Sequence, residues 1–497
     1  MSNQMSLPAT LVSSVDAPLV YAQHCFWFVA MALGDTANNQ SAILIDGDLQ
    51  PELLEQALNC LIRRHSSLRM TFSSWAPVQR CCDVNGFDLP FMRLDGVDEA
   101  ICRQRISAVA VQFMSQPFIF DKPPHLRAQL FQLESQRYLL LLCMPHIIAD
   151  GGAFHLFEQQ MWSVYAGLKA GRIPGDKQSV TQVDQWALQE RSVNDGSAVQ
   201  AELAFWLKHL ADYQYAHFPL SLINQHSLLD HQCDIPLSES TMEGMKLLAR
   251  QHRMSVQMVL LALIGQVVHQ MSGETRLVIN SVLEGRNQSG SEMLMAPQLR
   301  AMPVPMDFSQ QPDITTLLGQ VRENVLQAYE YLHSWSLPMG ILARRRWKHS
   351  PWLLVNSIEC FSRLYNLIAR KARLYPRFLA DFLFMEPKPP RWWWKRDAAW
   401  RAKGITDPLI NINVLQDAFK TEQPQAQSDT LSIRHCRESD YFMDADISTR
   451  WESDTINIYI TRDAEQQLKL HITCCCFNQE GMEQFLQLIR QQLSSLN

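Results

Sequence analysis

The stretch Tyr138-Leu139-Leu140-Leu141-Leu142-Cys143-Met144-Pro145-His146-Ile147-Ile148-Ala149-Asp150-Gly151-Gly152 passes from an unbroken apolar run into a turn that carries a histidine, an aspartate and two glycines. The run is short for a helix and suits a strand buried on both faces, so polar groups are expected where that strand stops. A histidine there can accept a proton at neutral pH, its ordinary pKa being about 6.5. Asp150 can orient the ring or pin the loop, and Gly151 and Gly152 allow a substrate close to the backbone. The same residues also fit a hydrogen-bonded histidine at a strand end followed by an ordinary turn.

The pattern on either side is mixed. Ala42 to Ile45 is apolar, Asp46-Gly47-Asp48 is a turn, and Pro51 opens a segment with Leu53, Leu54, Ala57, Leu58, Leu61 and Ile62 on one helical face. Further on, Ser255 caps a helix whose buried face holds Val259, Leu260, Leu263, Ile264 and Val267, and Gly273 stops it before the strand Leu277 to Asn280. Ile456, Ile458 and Ile460 alternate with polar residues, as do Leu468, Leu470, Ile472, Cys474 and Cys476, predicting two half-buried strands. Met482, Phe485, Leu486, Ile489 and Leu493 predict a closing amphipathic helix. Residues 171–196, rich in Pro, Gly, Ser and Gln, read as a linker, dividing the chain into domains 1–180 and 181–497.

With 497 residues, 47% apolar, the chain can bury a sizeable core, which excludes disorder and small disulfide scaffolds. A net charge of −6 provides no broad basic field for nucleic acid. The 12 cysteines include no C-x-x-C pair and no histidine at metal spacing, which argues against structural zinc. The polar N-terminus and the absence of a long apolar run predict a reduced, cytoplasmic protein. No nucleophile elbow, phosphate loop or dinucleotide fingerprint is present. Cys143 lies on the opposite strand face from His146 within an apolar run, so it reads as a buried hydrophobe and not a nucleophile. His155 reads as packed or exposed, and His65 as a cation at a helix end.

Residues 341–403 stand apart. They hold 15 Lys plus Arg against 4 Asp plus Glu, a balance of +11 that leaves −17 for the rest, and six of the 13 Trp. This inserted basic, aromatic element suits a peripheral membrane contact, an acidic partner such as a carrier protein, or a packed helical subdomain that offsets the remaining charge.

Several stretches together resemble one family, the condensation-domain superfamily of nonribosomal peptide synthesis, whose fold is chloramphenicol-acetyltransferase-like and whose signature is H-H-x-x-x-D-G. Here that motif reads Pro145-His146-Ile147-Ile148-Ala149-Asp150-Gly151, with proline in place of the first histidine. Pro18 to Trp27, containing Ala22-Gln23, is similar to the family's S-x-A-Q-x-R-L-W element, and Arg63 to Phe72 to its R-H-E-x-L-R-T-x-F element. Ser281 to Arg286 resembles the G-R loop, and Met302-Pro303-Val304-Pro305 more weakly the N-T-L-P-L strand.

The resemblance implies an α/β fold of the α+β sandwich kind: two acetyltransferase-like lobes forming a V, with the active site at their junction and a tunnel open at both faces. It implies His146 as the catalytic residue, either general base or holder of the nucleophile. It also implies Asp150 and Gly151 as structural, and Arg286 as the partner of Asp150 that ties the lobes together. Gly152 and the surroundings of Asn411-Ile412-Asn413 would border the substrate tunnel. No cofactor is expected to be bound. Phosphopantetheine would arrive as part of the donor substrate, on an acyl or peptidyl carrier protein acting in trans, or in coenzyme A.

The expected activity is that of a free-standing condensation enzyme, a monomer, that joins a carrier-borne acyl thioester to a small or carrier-bound amine or alcohol acceptor. Two alternatives stand beside it: a CoA-dependent O-acyltransferase of the wax-ester-synthase or polyketide-associated type, and a catalytically silent docking domain. Ala22-Gln23 and Arg64-His65 favour the first reading. Replacement of the first motif histidine points faintly to the docking domain, against which stand His146, Asp150 and Gly151.

Overall fold

The apolar run becomes a strand buried along its length: in the computed structural model β7 spans Arg137–Pro145, and Leu139 to Met144 are all buried. The structure describes residues 16–33, 37–74, 77–172, 180–193, 196–223, 231–286, 289–332, 342, 409–416, 431–435, 455–462, 467–474 and 476–496. The basic element at 341–403 lies outside these, Leu342 excepted. The fold is mixed α/β and divides into two compact units.

The first unit comprises 1–193 together with two later segments, 284–298 and 422–447. Its five-stranded sheet runs β13-β2-β7-β6-β5, where β2 is Asn38–Gly47, β5 Phe91–Arg93, β6 Arg127–Glu134 and β13 Leu431–His435. β7 is central, paired antiparallel with β2 and β6, and successive residues on both of its faces are buried, which explains why its sequence lacks the alternation of a half-exposed strand. A smaller sheet joins β1 (Ala17–Pro18), β4 (Val78–Cys81) and β3 (Met70–Phe72). Helices α1 (Tyr21–Leu33), α2 (Pro51–Arg64), α3 (Glu99–Ser115), α4 (Gly151–Lys169) and α5 (Val183–Val193) complete it. The helix predicted from Pro51 is α2, with Leu54, Ala57, Leu58, Leu61 and Ile62 buried as the spacing requires.

The second unit comprises 194–283, 299–421 and 448–497. Its sheet runs β11-β10-β12-β14-β15-β9, with β9 His231–Pro236, β10 Arg276–Glu284, β11 Leu299–Asp307, β12 Leu409–Gln416, β14 Thr455–Arg462 and β15 Leu468–Cys474. β8 (Ala216–His217) pairs with β12. β12 is parallel to both β10 and β14, and β15 is antiparallel to β14 and β9. Its helices are α6 (Gly196–His209), α7 (Glu239–Gln251), α8 (Val256–Ser272), α9 (Ile314–Tyr329) and α10 (Gln479–Ser494). The caps of α8 form as read: the Ser255 hydroxyl accepts from Met258 N–H, and Gly273, at φ 74°, donates to His269 O. Among the described residues no single helix is long and apolar enough to cross a membrane.

Two expectations need correction. Residues 171–196 are not simply a linker, since 183–193 form α5, whose Val183, Trp186 and Ala187 are buried in the first unit. The compact units are also not the continuous stretches 1–180 and 181–497: the first extends to Val193 and takes back 284–298 and 422–447. The physical reason is pairing across sequence. β13 joins the edge of the first sheet against β2, from Leu431 opposite Gly47 to His435 opposite Ile43.

Candidate active site

β7 ends at Pro145, and the backbone of the next residue is tied at once: His146 N–H donates to Ala37 O at 2.7 Å, and Ile148 N–H to Pro145 O at 3.0 Å. The loop's carbonyls are held as well. Buried Gln23, on α1, donates through Nε2 to Ile147 O at 3.0 Å and accepts from Val20 N–H at 2.9 Å. Asn39, on β2, donates to Ala149 O at 2.8 Å. The turn is therefore fastened from both sides, as a loop between buried elements must be to satisfy its polar backbone.

Asp150 caps α4, its Oδ1 accepting from Ala153 N–H at 2.8 Å. Arg286 Nη2 donates to the same oxygen at 2.7 Å, and Gln298 N–H donates to Oδ2 at 2.7 Å. Burial alone would raise the Asp150 pKa, but Arg286 and the two backbone donors outweigh it and hold the carboxyl below its ordinary range. Arg286 also donates to the carbonyls of Leu294 at 2.7 Å and Ala296 at 2.9 Å, with Ser291 further off at 3.4 Å. The expected Asp150–Arg286 pair is present. Both partners belong to the first unit, and the pair fixes segment 284–298 within it.

His146 makes a ring contact. Its imidazole lies flat against Phe26 of α1, with ring centroids 4.5 Å apart and planes 8° from parallel. Nδ1 is buried with no partner beyond the residue's own backbone, whereas Nε2 is not enclosed in this way. Burial lowers the His146 pKa to about 4, opposed by the charge of Asp150 and by its own backbone. The ring is thus neutral at neutral pH and presents Nε2 as the nitrogen open to a reactant.

The other predicted residues divide. Gly151 is exposed at the first position of α4, and a Cβ there would meet no protein atom within 4 Å. Gly152 follows it, half-buried. Asn413 sits in β12 of the second unit, in register with Asn280 and Asn457 on the neighbouring strands. The Cys143 thiol is buried and pushed up to about 12, in keeping with an inert hydrophobe. His155 is partly exposed and bonded to Gln159 on its own helix. His65 is not a helix-end cation: it is buried, bonded to Gln160 at 2.7 Å, and its pKa falls to about 4 through burial. Among the described residues, no group of His, Cys, Asp and Glu could hold a metal ion.

The supporting residues escape sequence reasoning. Gln23 lies within a recognisable motif, but its bond to Ile147 spans 124 positions, and the Phe26 stack has no local signal at all. Glu158 escapes it too. Buried on α4, its carboxyl lies 3.3 Å from His435 Nε2, while Ser41 Oγ lies 3.3 Å from His435 Nδ1. Burial pushes that carboxyl up to about 7, Ser41 and His155 opposing.

A model of the family described as Condensation domain matches residues 14–343. A linear gramicidin synthase protein of Brevibacillus parabrevis is 28% identical over 323 residues, which are 63% of this chain and 4% of that protein. The chondramide synthase of Chondromyces crocatus is 28% identical over 324 residues, which are 63% of this chain and 8% of that protein. The chain thus spans 4 to 8% of the length of these curated relatives. In fold, it is similar to the SgcC5 protein from Streptomyces globisporus, with TM-score 0.67, 17% identity, and 96% and 98% of the two chains covered. It is also similar to the X-domain from teicoplanin biosynthesis, at TM-score 0.68 and 16% identity, covering 99% and 97%. That X-domain is also solved in complex with OxyB.

Proposed function

We propose that this chain, which belongs to the condensation-domain family, joins an acyl thioester borne on a carrier protein's phosphopantetheine arm to an amine or alcohol acceptor in natural-product biosynthesis. The acceptor nitrogen or oxygen attacks the thioester carbonyl, a C–N or C–O bond forms as the C–S bond breaks, and the acceptor's proton ends on the departing thiol. The observation that carries this reading is the environment of His146: a neutral ring with Nε2 open, beside a carboxylate already engaged by three donors.

That environment favours one of the two roles considered for His146. A general base works best with a pKa near the working pH, and at about 4 this ring has little affinity for a full proton. It remains a good hydrogen-bond acceptor, able to hold the N–H or O–H of the nucleophile with its lone pair toward the carbonyl. Asp150 and Arg286 are structural, fixing the loop and the start of α4. Since packing does not demand glycine at Gly151, its bare backbone is best understood as room for substrate. Gly152 is proposed to border the path of the substrate.

Pro145 in the first histidine position and the likeness to an X-domain solved with OxyB favour a docking role as the second reading. The starter condensation domain of a rhizomide synthetase, similar at TM-score 0.65, is solved as a mutant with C8-CoA, so acyl-CoA belongs among the donors tested.

The test is intact-mass monitoring of acyl loss from a panel of acyl carriers and acyl-CoAs with mixed amine and alcohol acceptors, comparing wild type with His146→Ala. Transfer from carriers that disappears in the mutant supports the proposal, and the acceptor that gains mass names the bond. Transfer from CoA alone would favour the O-acyltransferase. Equal transfer by both proteins would remove His146 from its role.

A further inference from the structure

We infer that Glu158, His435 and Ser41 form a proton-sharing clasp that holds β13 on the edge of the first sheet, and that the clasp keeps this attachment nearly indifferent to pH because its carboxyl and its imidazole exchange one proton as the strand docks. The inference stands apart from the proposed function and does not depend on it.

All three residues belong to the first unit. β13 is a five-residue edge strand, laid antiparallel on β2, and of its side chains Leu431 alone is buried. An edge strand is paired along one side, so its side-chain anchors matter more than those of a central strand. At the end opposite Leu431, His435 lies across from Ile43 and so shares a sheet face with Ser41, two residues along β2. Glu158 comes to the same place from α4. Its Oε2 lies 3.3 Å from His435 Nε2, and Ser41 Oγ lies 3.3 Å from His435 Nδ1. Arg434, on the other face, makes an exposed contact with Asp46 at 3.9 Å, which is worth little.

The carboxyl is nearly enclosed, its side chain 6% exposed and its Oε1 without a partner. The groups facing it are His435 from β13, Ser41 from β2 and His155 from its own helix. α2 packs on α4 through an apolar face, Leu54, Ala57, Leu58, Leu61 and Ile62. None of these is a permanent cation, so a charge on Glu158 would be poorly compensated, and the carboxyl keeps its proton up to about 7. Burial lowers the His435 pKa, so the ring beside it is neutral as well. The acid can then donate toward Nε2, and Nδ1–H toward the Ser41 hydroxyl.

With the strand released, both groups return toward water, where the carboxyl ionises near 4.5 and the imidazole near 6.5. At about pH 5.5 the pair therefore carries one proton in either state, on the ring when β13 is free and on the carboxyl when it is docked. Docking moves that proton and takes none from solvent. Each group alone would respond to pH, in opposite directions. The raised carboxyl favours docking at low pH and loses that contribution as pH rises through about 7; the lowered imidazole favours docking above about 6.5 and loses it as pH falls.

The test is hydrogen exchange of the full chain, read by mass spectrometry in peptides covering β13 between pH 5 and pH 8 and corrected for the intrinsic pH dependence of exchange. Wild type is compared with Glu158→Gln, His435→Gln and the double variant. In His435→Gln the carboxyl acts alone, and opening of β13 should rise roughly ten- to seventyfold from pH 5 to pH 8, the upper figure being the full shift from 4.5 to about 7. In Glu158→Gln the imidazole acts alone, and opening should rise several-fold in the other direction, as pH falls. Wild type should vary by about fivefold or less, the double variant should be flat, and α10 should not follow either trend. The same trend in both single variants, no trend in either, or a wild type as steep as His435→Gln would overturn the inference. So would a pH response in α10 equal to that of β13.

Discussion

Removing the charge of Asp150 should loosen the 284–298 segment more than any other part of the first unit. In Asp150→Asn the side chain keeps one acceptor oxygen in place of two, while three donors still converge on it: Ala153 N–H at 2.8 Å, Arg286 Nη2 at 2.7 Å and Gln298 N–H at 2.7 Å. The new NH2 group must face one of those donors. Each lost bond to a charged acceptor costs about 1.5–3 kcal/mol, and breaking a buried pair by removing one partner costs about 3–5 kcal/mol. Arg286 keeps its bonds to Leu294 O and Ala296 O, so the lower end applies, about 3 kcal/mol, or roughly a hundredfold in a local opening equilibrium. Hydrogen exchange read by mass spectrometry should show faster exchange by about that factor in peptides covering 289–300 and 150–157, with α8 unchanged. In a cycle with Arg286→Ala, the coupling should exceed about 2 kcal/mol. The sign with pH follows from the depressed carboxyl: its contribution is complete above the unfolded value of about 3.9 and is lost as pH falls through the folded one. Wild type and Asp150→Asn should therefore begin to converge as pH falls below about 4 and meet only below the folded value. Exchange at Gln298 within a factor of two or three of wild type, or a coupling below about 0.5 kcal/mol, would refute the reasoning.

Glu158, with its pKa raised to about 7, binds its proton more tightly folded than unfolded, so its contribution to stability is present at low pH and lost as pH rises through about 7. Glu158→Gln should therefore gain on wild type by about 2 to 3 kcal/mol between pH 5 and pH 8 in denaturation experiments, and a pH-independent difference would count against it. A Cβ at Gly481, in the first turn of α10, would stand against Leu222 O, a backbone atom with little room to yield. Gly481→Ala should destabilise the second unit by about 1–3 kcal/mol, seen as faster exchange in α10 while peptides of α4 keep wild-type rates; unchanged exchange in α10 would mean the backbone accommodates the methyl.

Local signals in the chain suffice for the elements whose causes are local. The unbroken Leu139 to Met144 run determines β7, the spacing from Leu54 to Ile62 determines the buried face of α2, and Ser255 and Gly273 mark the ends of α8, because burial periodicity and caps act over a turn or two. The motif histidine and the pairing of Asp150 with Arg286 are legible through family resemblance, not through spacing. Residues 183–193 mislead because their polar, Gln-containing composition resembles a linker, while the burial of Trp186 depends on partners far away in sequence. His65 misleads because a helix end favours a cation only where water reaches it, and this one is enclosed and bonded to Gln160.

By itself, then, the sequence determined where the buried strand ends and which ionisable groups stand at that end. Only the tertiary structure decided what those groups are: His146 neutral under the ring of Phe26, Asp150 charged between Arg286 and Gln298, Glu158 raised beside His435. Desolvation and charge pairing depend on atoms brought within a few ångströms by the fold, from strands and helices as far apart in the chain as those that carry Glu158 and His435.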